Sequence, residues 1–358
     1  MIQREAFFHF LQPQYLYNAA IVFAVLTSIL VAVIYIYLFL KKRSFLVVSR
    51  IDDQVNTWLG QILMDKERPD IDLSPELQEY LKKPRNREFV IDNLIKIRKN
   101  LRGAAAKSLV ELYENLGLKK DSIRRFNSVV WHQKAKGIYE LYMMDQEQEL
   151  PDIYKYTNSA NEYVRMEAQI AIVGFWGFRG LSFLDSLEYP LTEWQQLKLL
   201  EQLSTLDTVA MDQLPDWLRS DNEYVVHFAL KLADIYREMD VHDIVVECLQ
   251  SHNAKLRFQA IKTLGRIARA ETGAILTGGY DSESEENKKA ILQQLEIMDD
   301  LAFVPFLESV ITSGDDLLKL EAARALTAIS NGADVLTAYA SDATMASIRK
   351  QVQYELSR

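Results

Sequence analysis

Cysteine is almost absent from this chain. With Cys248 alone, no internal disulfide can form, and a reducing compartment suits the protein. Glycine (13) and proline (8) are sparse among 358 residues, which argues against an all-β fold with its many turns. There is no GxGxxG, no phosphate-binding loop, no HExxH, no GxSxG and no cysteine pair. The chain is therefore expected to carry no cofactor, no metal and no catalytic residue, and not to be an enzyme. Asp240, His242, Asp243, Glu247, Cys248 and His252 gather metal-ligand types, but His242 and Glu247 are five apart, whereas ligands on one helix face stand three or four apart.

Charge is missing altogether from residues 16–40, a run of 25 residues that as a helix would span roughly 37 Å, enough to cross a bilayer with some tilt. A cleaved signal peptide would be shorter, with cations ahead of it; here Lys41, Lys42, Arg43 and Arg50 follow the run, and only Arg4 precedes it. The positive-inside rule then places the C-terminal part in the cytoplasm and residues 1–15 outside as a short head. Tyr15, Tyr17, Tyr35 and Tyr37 suit the headgroup boundaries. Phe45, Val48, Ile51, Val55, Leu59 and Ile62 recur at three and four residues, so an amphipathic helix is expected within a juxtamembrane segment, 41–75, that ends in a charged linker. Ser74 and Pro75 read as the N-cap and first position of the next helix.

The formal net charge of −9 is unevenly spread: residues 41–136 carry 21 Lys or Arg against 13 acids, and residues 137–358 carry 19 against 36. The basic part invites contact with an anionic leaflet through Lys41, Lys42, Arg43, Lys82, Lys83, Arg85 and Arg87. The acidic part opposes phosphate binding, and no nucleic-acid partner is expected.

Four stretches share one pattern, a polar turn and then a helix with a small residue near its start: ANEYVRMEAQIAI, DNEYVVHFALKLA, HNAKLRFQAIKTL and GDDLLKLEAARAL. Their small positions are Ala168, Ala229, Ala260 and Ala322, and Leu199 and Ile291 fill the gaps, giving steps of 31, 30, 31, 31 and 31 residues. Ala135 and Ala105 extend the register upstream, and shorter apolar segments such as LPDIYKYT and LPDWLRS lie between the copies. A period in this range means hairpins that bury their apolar faces only by stacking on neighbours.

Over residues 85–345 this pattern resembles the HEAT-repeat family. The resemblance implies an all-α chain: a transmembrane helix at 16–40 followed by an α-solenoid of helical hairpins over 76–358. Leu199 and Ile291 depart from the family's small residue, which implies either wider spacing there or a register shift of one. In such proteins bases like Arg165, Arg257 and Lys319 often pair with acids of adjacent repeats. Gly278 and Gly279, followed by acids, imply a short first helix and a protruding loop.

The resulting functional expectation is a membrane-anchored, non-enzymatic scaffold that holds protein partners. Its setting could be an accessory subunit of an envelope polysaccharide or signalling assembly. The alternative of another class, implied by the resemblance, is a HEAT-like enzyme of the DNA glycosylase or bilin lyase type. Within GFWGFRG (174–180), Phe175, Trp176, Phe178 and Arg179 are the candidate protein contacts, because Trp and Arg dominate binding hot spots; the competing reading is a turn whose aromatics cap the core.

Overall fold

The computed structural model describes residues 17–39, 57, 75–204, 211–313, 315–329 and 350. Among these there is no strand. The charge-free run forms α1, Tyr17–Phe39, a helix long and apolar enough to cross a membrane, with every residue exposed. The head at 1–15, the cations Lys41, Lys42 and Arg43 and nearly all of the juxtamembrane segment lie outside the described residues. The chain divides into two compact units, Met1–Gln146 and Glu147–Arg358, where the sequence suggested one array over 76–358.

The first unit resumes at α2 (Pro75–Leu81), where proline occupies the first helical position as expected, since that position needs no N–H. The helix α3 (Pro84–Arg98) starts the same way after an extended Lys83. Three more follow: α4 (Ala104–Asn115), α5 (Lys119–Phe126) and α6 (Trp131–Met143). Val90, Ile91, Leu94 and Ile95 of α3 form one helical face and meet Leu109, Leu112 and Tyr113 of α4 in the core. Ala105, expected at a core position, is only half-buried; the larger Leu109 and Leu112 take over in α4.

α5 and α6 pack so closely that a Cβ on Gly137 would lie 2.7 Å from the Phe126 Cα. Between them Arg125 donates from Nη2 (2.7 Å) and Nε (2.9 Å) to Glu140 Oε2, which also accepts from the Ser122 hydroxyl at 2.7 Å. Burial pushes the Glu140 carboxyl up, against those donors. Lys136 reaches from α6 to Glu88 (2.6 Å) and Asp92 (3.1 Å) on α3.

The second unit is a stack of helical hairpins. Its longer helices are α8 (Glu162–Trp176), α9 (Glu193–Leu203), α11 (Glu223–Tyr236), α13 (Ala254–Arg266), α15 (Glu285–Met298) and α17 (Asp316–Ala328). Their shorter partners are α7 (Leu150–Tyr154), the 3-10 helix Gly177–Ser186, α10 (Leu214–Leu218), α12 (His242–Glu247), α14 (Thr272–Gly279) and α16 (Val304–Ser313). Each long helix starts at a side-chain cap: Asn161, Thr192, Asn222, Asn253, Ser284 or Asp315 accepts from a backbone N–H of the first turn. At Thr192 the cap is reciprocal with Gln195.

Ala168, Ala229, Ala260 and Ala322 are fully buried where the long helices pack together. The two departures resolve differently. The helix carrying Leu199, α9, hardly approaches α11, as a bulky residue at that seam would demand. Beside Ile291 the register holds: Ile291 stands seven residues after the cap Ser284, as Ala260 does after Asn253, and α15 packs closely on both neighbours with Ala290 and Ile291 both buried.

Polar bonds join successive hairpins. Asn222 caps α11 with its carbonyl oxygen and donates from Nδ2 to the Leu187 carbonyl at 2.8 Å, and Asn253 caps α13 while donating to Glu223 Oε2 at 2.7 Å. Of the bases expected to form a ladder, Arg257 pairs with Glu283 of the next hairpin (2.8 and 3.0 Å). Arg165 instead bonds the Ser159 carbonyl at 2.6 Å and stacks on Tyr189, and Lys319 makes no ion pair among the described residues.

Candidate functional site

The GFWGFRG segment is the seam between α8 and the 3-10 helix that opens the next hairpin. Gly177 ends α8 at φ 59°, a left-handed angle open to glycine. Gly180 admits the returning chain: a Cβ there would lie 2.8 Å from the Val173 Cα. These glycines thus serve the turn and the close packing.

The four candidates separate. Phe178 is a core residue, edge-on to Tyr236 at 5.1 Å between ring centres, so it is corrected from contact candidate to packing residue. Phe175 is half-buried. Trp176, 40% exposed and tilted against Tyr154, and Arg179 are both exposed.

Tertiary structure gives the ligand-type cluster around His242 a different member from those read in the sequence. Among the described residues, His242, Asp243 and Glu271 bring ligand atoms within 4.8 Å of one another, and Glu271 comes from the following hairpin. His242 and Asp243 already bond protein partners. The Thr272 hydroxyl accepts from the Arg269 backbone N–H (2.7 Å) and lies 2.8 Å from His242 Nε2. His242 Nδ1 lies 3.1 Å from the Asp243 carboxylate, which can only accept, so Nδ1 carries the proton. Arg269 also donates to Asp243 at 2.9 Å, and these bonds hold that carboxyl below its usual range. A hydroxyl, an imidazole and a carboxylate in a row have the composition of a nucleophilic triad, but Thr272 is fully buried and His242 nearly so. The row joins two hairpins.

Open space lies elsewhere, in two grooves one repeat apart. The first, about 420 Å³, is bounded by α10, α11, α12 and the start of α13; the second, about 530 Å³, by the end of α12 and the segment after it, α13, α14 and α15. Leu218, Ser220 and Ile244 of the first correspond, 31 residues on, to Leu249, Ser251 and Ile275 of the second. At the same step Glu247 and Cys248 give way to Gly278 and Gly279. Cys248 is half-buried, and burial pushes its thiol up to about 11.

The expected protruding loop is absent at this point. α14 runs through both glycines, a 3-10 turn follows, and Ser284 caps α15 so that Glu285 and Glu286 form its first turn. Acids at a helix start neutralise the dipole's positive end, which suits Glu285 and Glu286 to the first turn of α15. No atom lies within 4 Å of a Cβ built on Gly278 or Gly279. The Arg257 and Glu283 pair borders the same groove. Its glycines were legible in the sequence; the groove was not, because its walls come from two hairpins.

In the first unit, Lys82, Lys83 and Arg85 are exposed at the α2–α3 junction. Arg87, grouped with them from sequence, is consumed inside the fold: it donates to Asp121 Oδ2 (2.5 Å) and to the Gly117 carbonyl (2.6 Å), clamping α3 to the α4–α5 turn.

No family model matches the chain, and no curated protein does. Three solved structures show a likeness. YibA of Escherichia coli has 15% identity and a TM-score of 0.40 over 72% of this chain and 97% of its own. An engineered protein has 15% identity and a TM-score of 0.37, over 84% of this chain and 87% of its own. Human deoxyhypusine hydroxylase, solved with glycerol, has 16% identity and a TM-score of 0.30, over 68% of this chain and 97% of its own. The last overturns one expectation. It is an enzyme, so the expectation that this chain is not one, drawn from the absence of catalytic motifs, no longer stands.

Proposed function

We propose that the chain is a membrane-anchored scaffold whose HEAT-like hairpins hold a protein partner on the cytoplasmic side of the bilayer. The length and composition of α1 support the anchor, and the cations Lys41, Lys42, Arg43 and Arg50 after it support the orientation. The partner reading is carried by the groove beside α14. A glycine inside a helix costs about 1 kcal/mol relative to alanine, and neither left-handed φ nor crowding requires one at Gly278 or Gly279. What the pair preserves is space against the backbone, where a partner's side chain can enter.

Two measurements test the reading. A reporter active only outside the cytoplasm, fused after Arg358, is expected to be silent; activity there contradicts the orientation. Filling the groove with Gly278→Leu and Gly279→Leu is expected to remove proteins that co-purify from native membranes while helical content is unchanged. An unaltered set of co-purifying proteins contradicts the groove's role.

A further inference from the structure

The first unit exposes a group of apolar residues at one turn. The turn between α5 and α6 carries Val129, 98% exposed, followed by the exposed Val130 and Trp131. Solvent-facing aliphatic residues beside a tryptophan are poorly suited to water and well suited to the interfacial zone of a bilayer, where Trp concentrates.

The helix that leads into this turn, α5, is cationic. A cleft of about 570 Å³ between the α2–α3 junction and α5 is lined by Lys82, Arg87, Lys120 and Arg124, and Asp121 is the one acid in its lining. Asp121 is buried and already bonds both Arg87 and Arg124, so the cleft keeps a cationic excess. Lys120 and Arg124 stand one turn apart on α5, and Arg124 lies in the last turn before the apolar tip. The Lys82–Glu79 pair is exposed on both sides and screened by water, so it does not tie Lys82 up. Lys83 and Arg85 add exposed charge beside the cleft.

We propose that this cleft and the Val129–Val130–Trp131 tip dock the first unit on the anionic leaflet of the bilayer that α1 spans, the cleft taking a lipid phosphate and the tip entering the headgroup zone. The proposal rests on α1 being a membrane anchor. Only 35 residues separate Phe39 from Pro75, so the docking is intramolecular and a weak contact suffices. Each Lys or Arg at an anionic surface contributes about fivefold in binding. A nucleic acid would meet the same cations but has no use for a protruding Val129.

The test uses the full chain with Cys248→Ser and Val129→Cys carrying an environment-sensitive fluorophore, reconstituted in bilayers that contain nitroxide-labelled lipid as quencher. One bilayer is phosphatidylcholine; the other also contains phosphatidylserine. Strong quenching is expected in the anionic bilayer, several-fold weaker in the neutral one and weakened by salt. Replacing Lys82, Lys83, Arg85 and Lys120 with Gln is expected to reproduce the neutral result at unchanged helical content. Equal quenching in both bilayers, or none in either, overturns the docking. Flotation separates the two readings: a chain that does not float with neutral bilayers refutes the anchor, whereas one that floats with its label unquenched refutes only the docking.

Discussion

Gly278 and Gly279 give the sharpest single-residue prediction. Both lie in α14 with open space where a Cβ would stand, so Gly278→Ala with Gly279→Ala is expected to stabilise the fold by about 1–2 kcal/mol. Chemical denaturation checks this; a loss of stability would mean that the glycines serve packing. Glu283 supplies a pH test. Burial pushes its carboxyl up, but bonds from Arg257 and Asn287 outweigh that and hold it below the usual range. A depressed carboxyl contributes stability above its unfolded value of about 4.3, and that contribution is lost as pH falls through the folded value. Glu283→Gln is therefore expected to be less stable at neutral pH and to lose less stability on acidification, as read from denaturation midpoints at both pH values. Residues such as Arg87 and Phe178 could not be placed from sequence. The acceptors of Arg87 lie about thirty residues away, and Tyr236, against which Phe178 packs, is more distant still.

Among the elements, the long helices of the second unit were legible because each announces itself locally with an Asn, Thr, Ser or Asp cap, followed in four of the six by a buried alanine at Ala168, Ala229, Ala260 or Ala322. The short helices were harder to delimit. They run from five residues in α7 and α10 to ten in α16, some continue as 3-10 turns, and their apolar residues follow no clean period. The second use of the caps was hidden entirely, since a side-chain amide that bonds the preceding hairpin depends on how the hairpins stack. Asn222 separates the two uses. Asn222→Ala removes both the cap of α11 and the bond to Leu187 and is expected to cost about 2–3 kcal/mol. Asn222→Asp keeps the cap and is expected to recover roughly half. If alanine and aspartate behave alike in thermal melts, the cap contributes nothing and the bridge alone matters.

For the whole molecule, charge and apolar surface divide the work along the chain. The segment nearest α1 is basic and carries an exposed Val-Val-Trp turn, while the hairpins farther along are acidic and hold open grooves. The charge division was visible in composition, whereas the exposed turn and the grooves required the folded structure. We propose that the space beside α14 receives a protein. This is tested most directly by a photo-crosslinking amino acid placed at Gly278 of the full chain in native membranes, with a second placed at the exposed Ile297 on α15. A discrete heavier product is expected from Gly278 that Ile297 does not give and that Gly279→Leu suppresses. No discrete product from Gly278, or the same product from both positions, would contradict it.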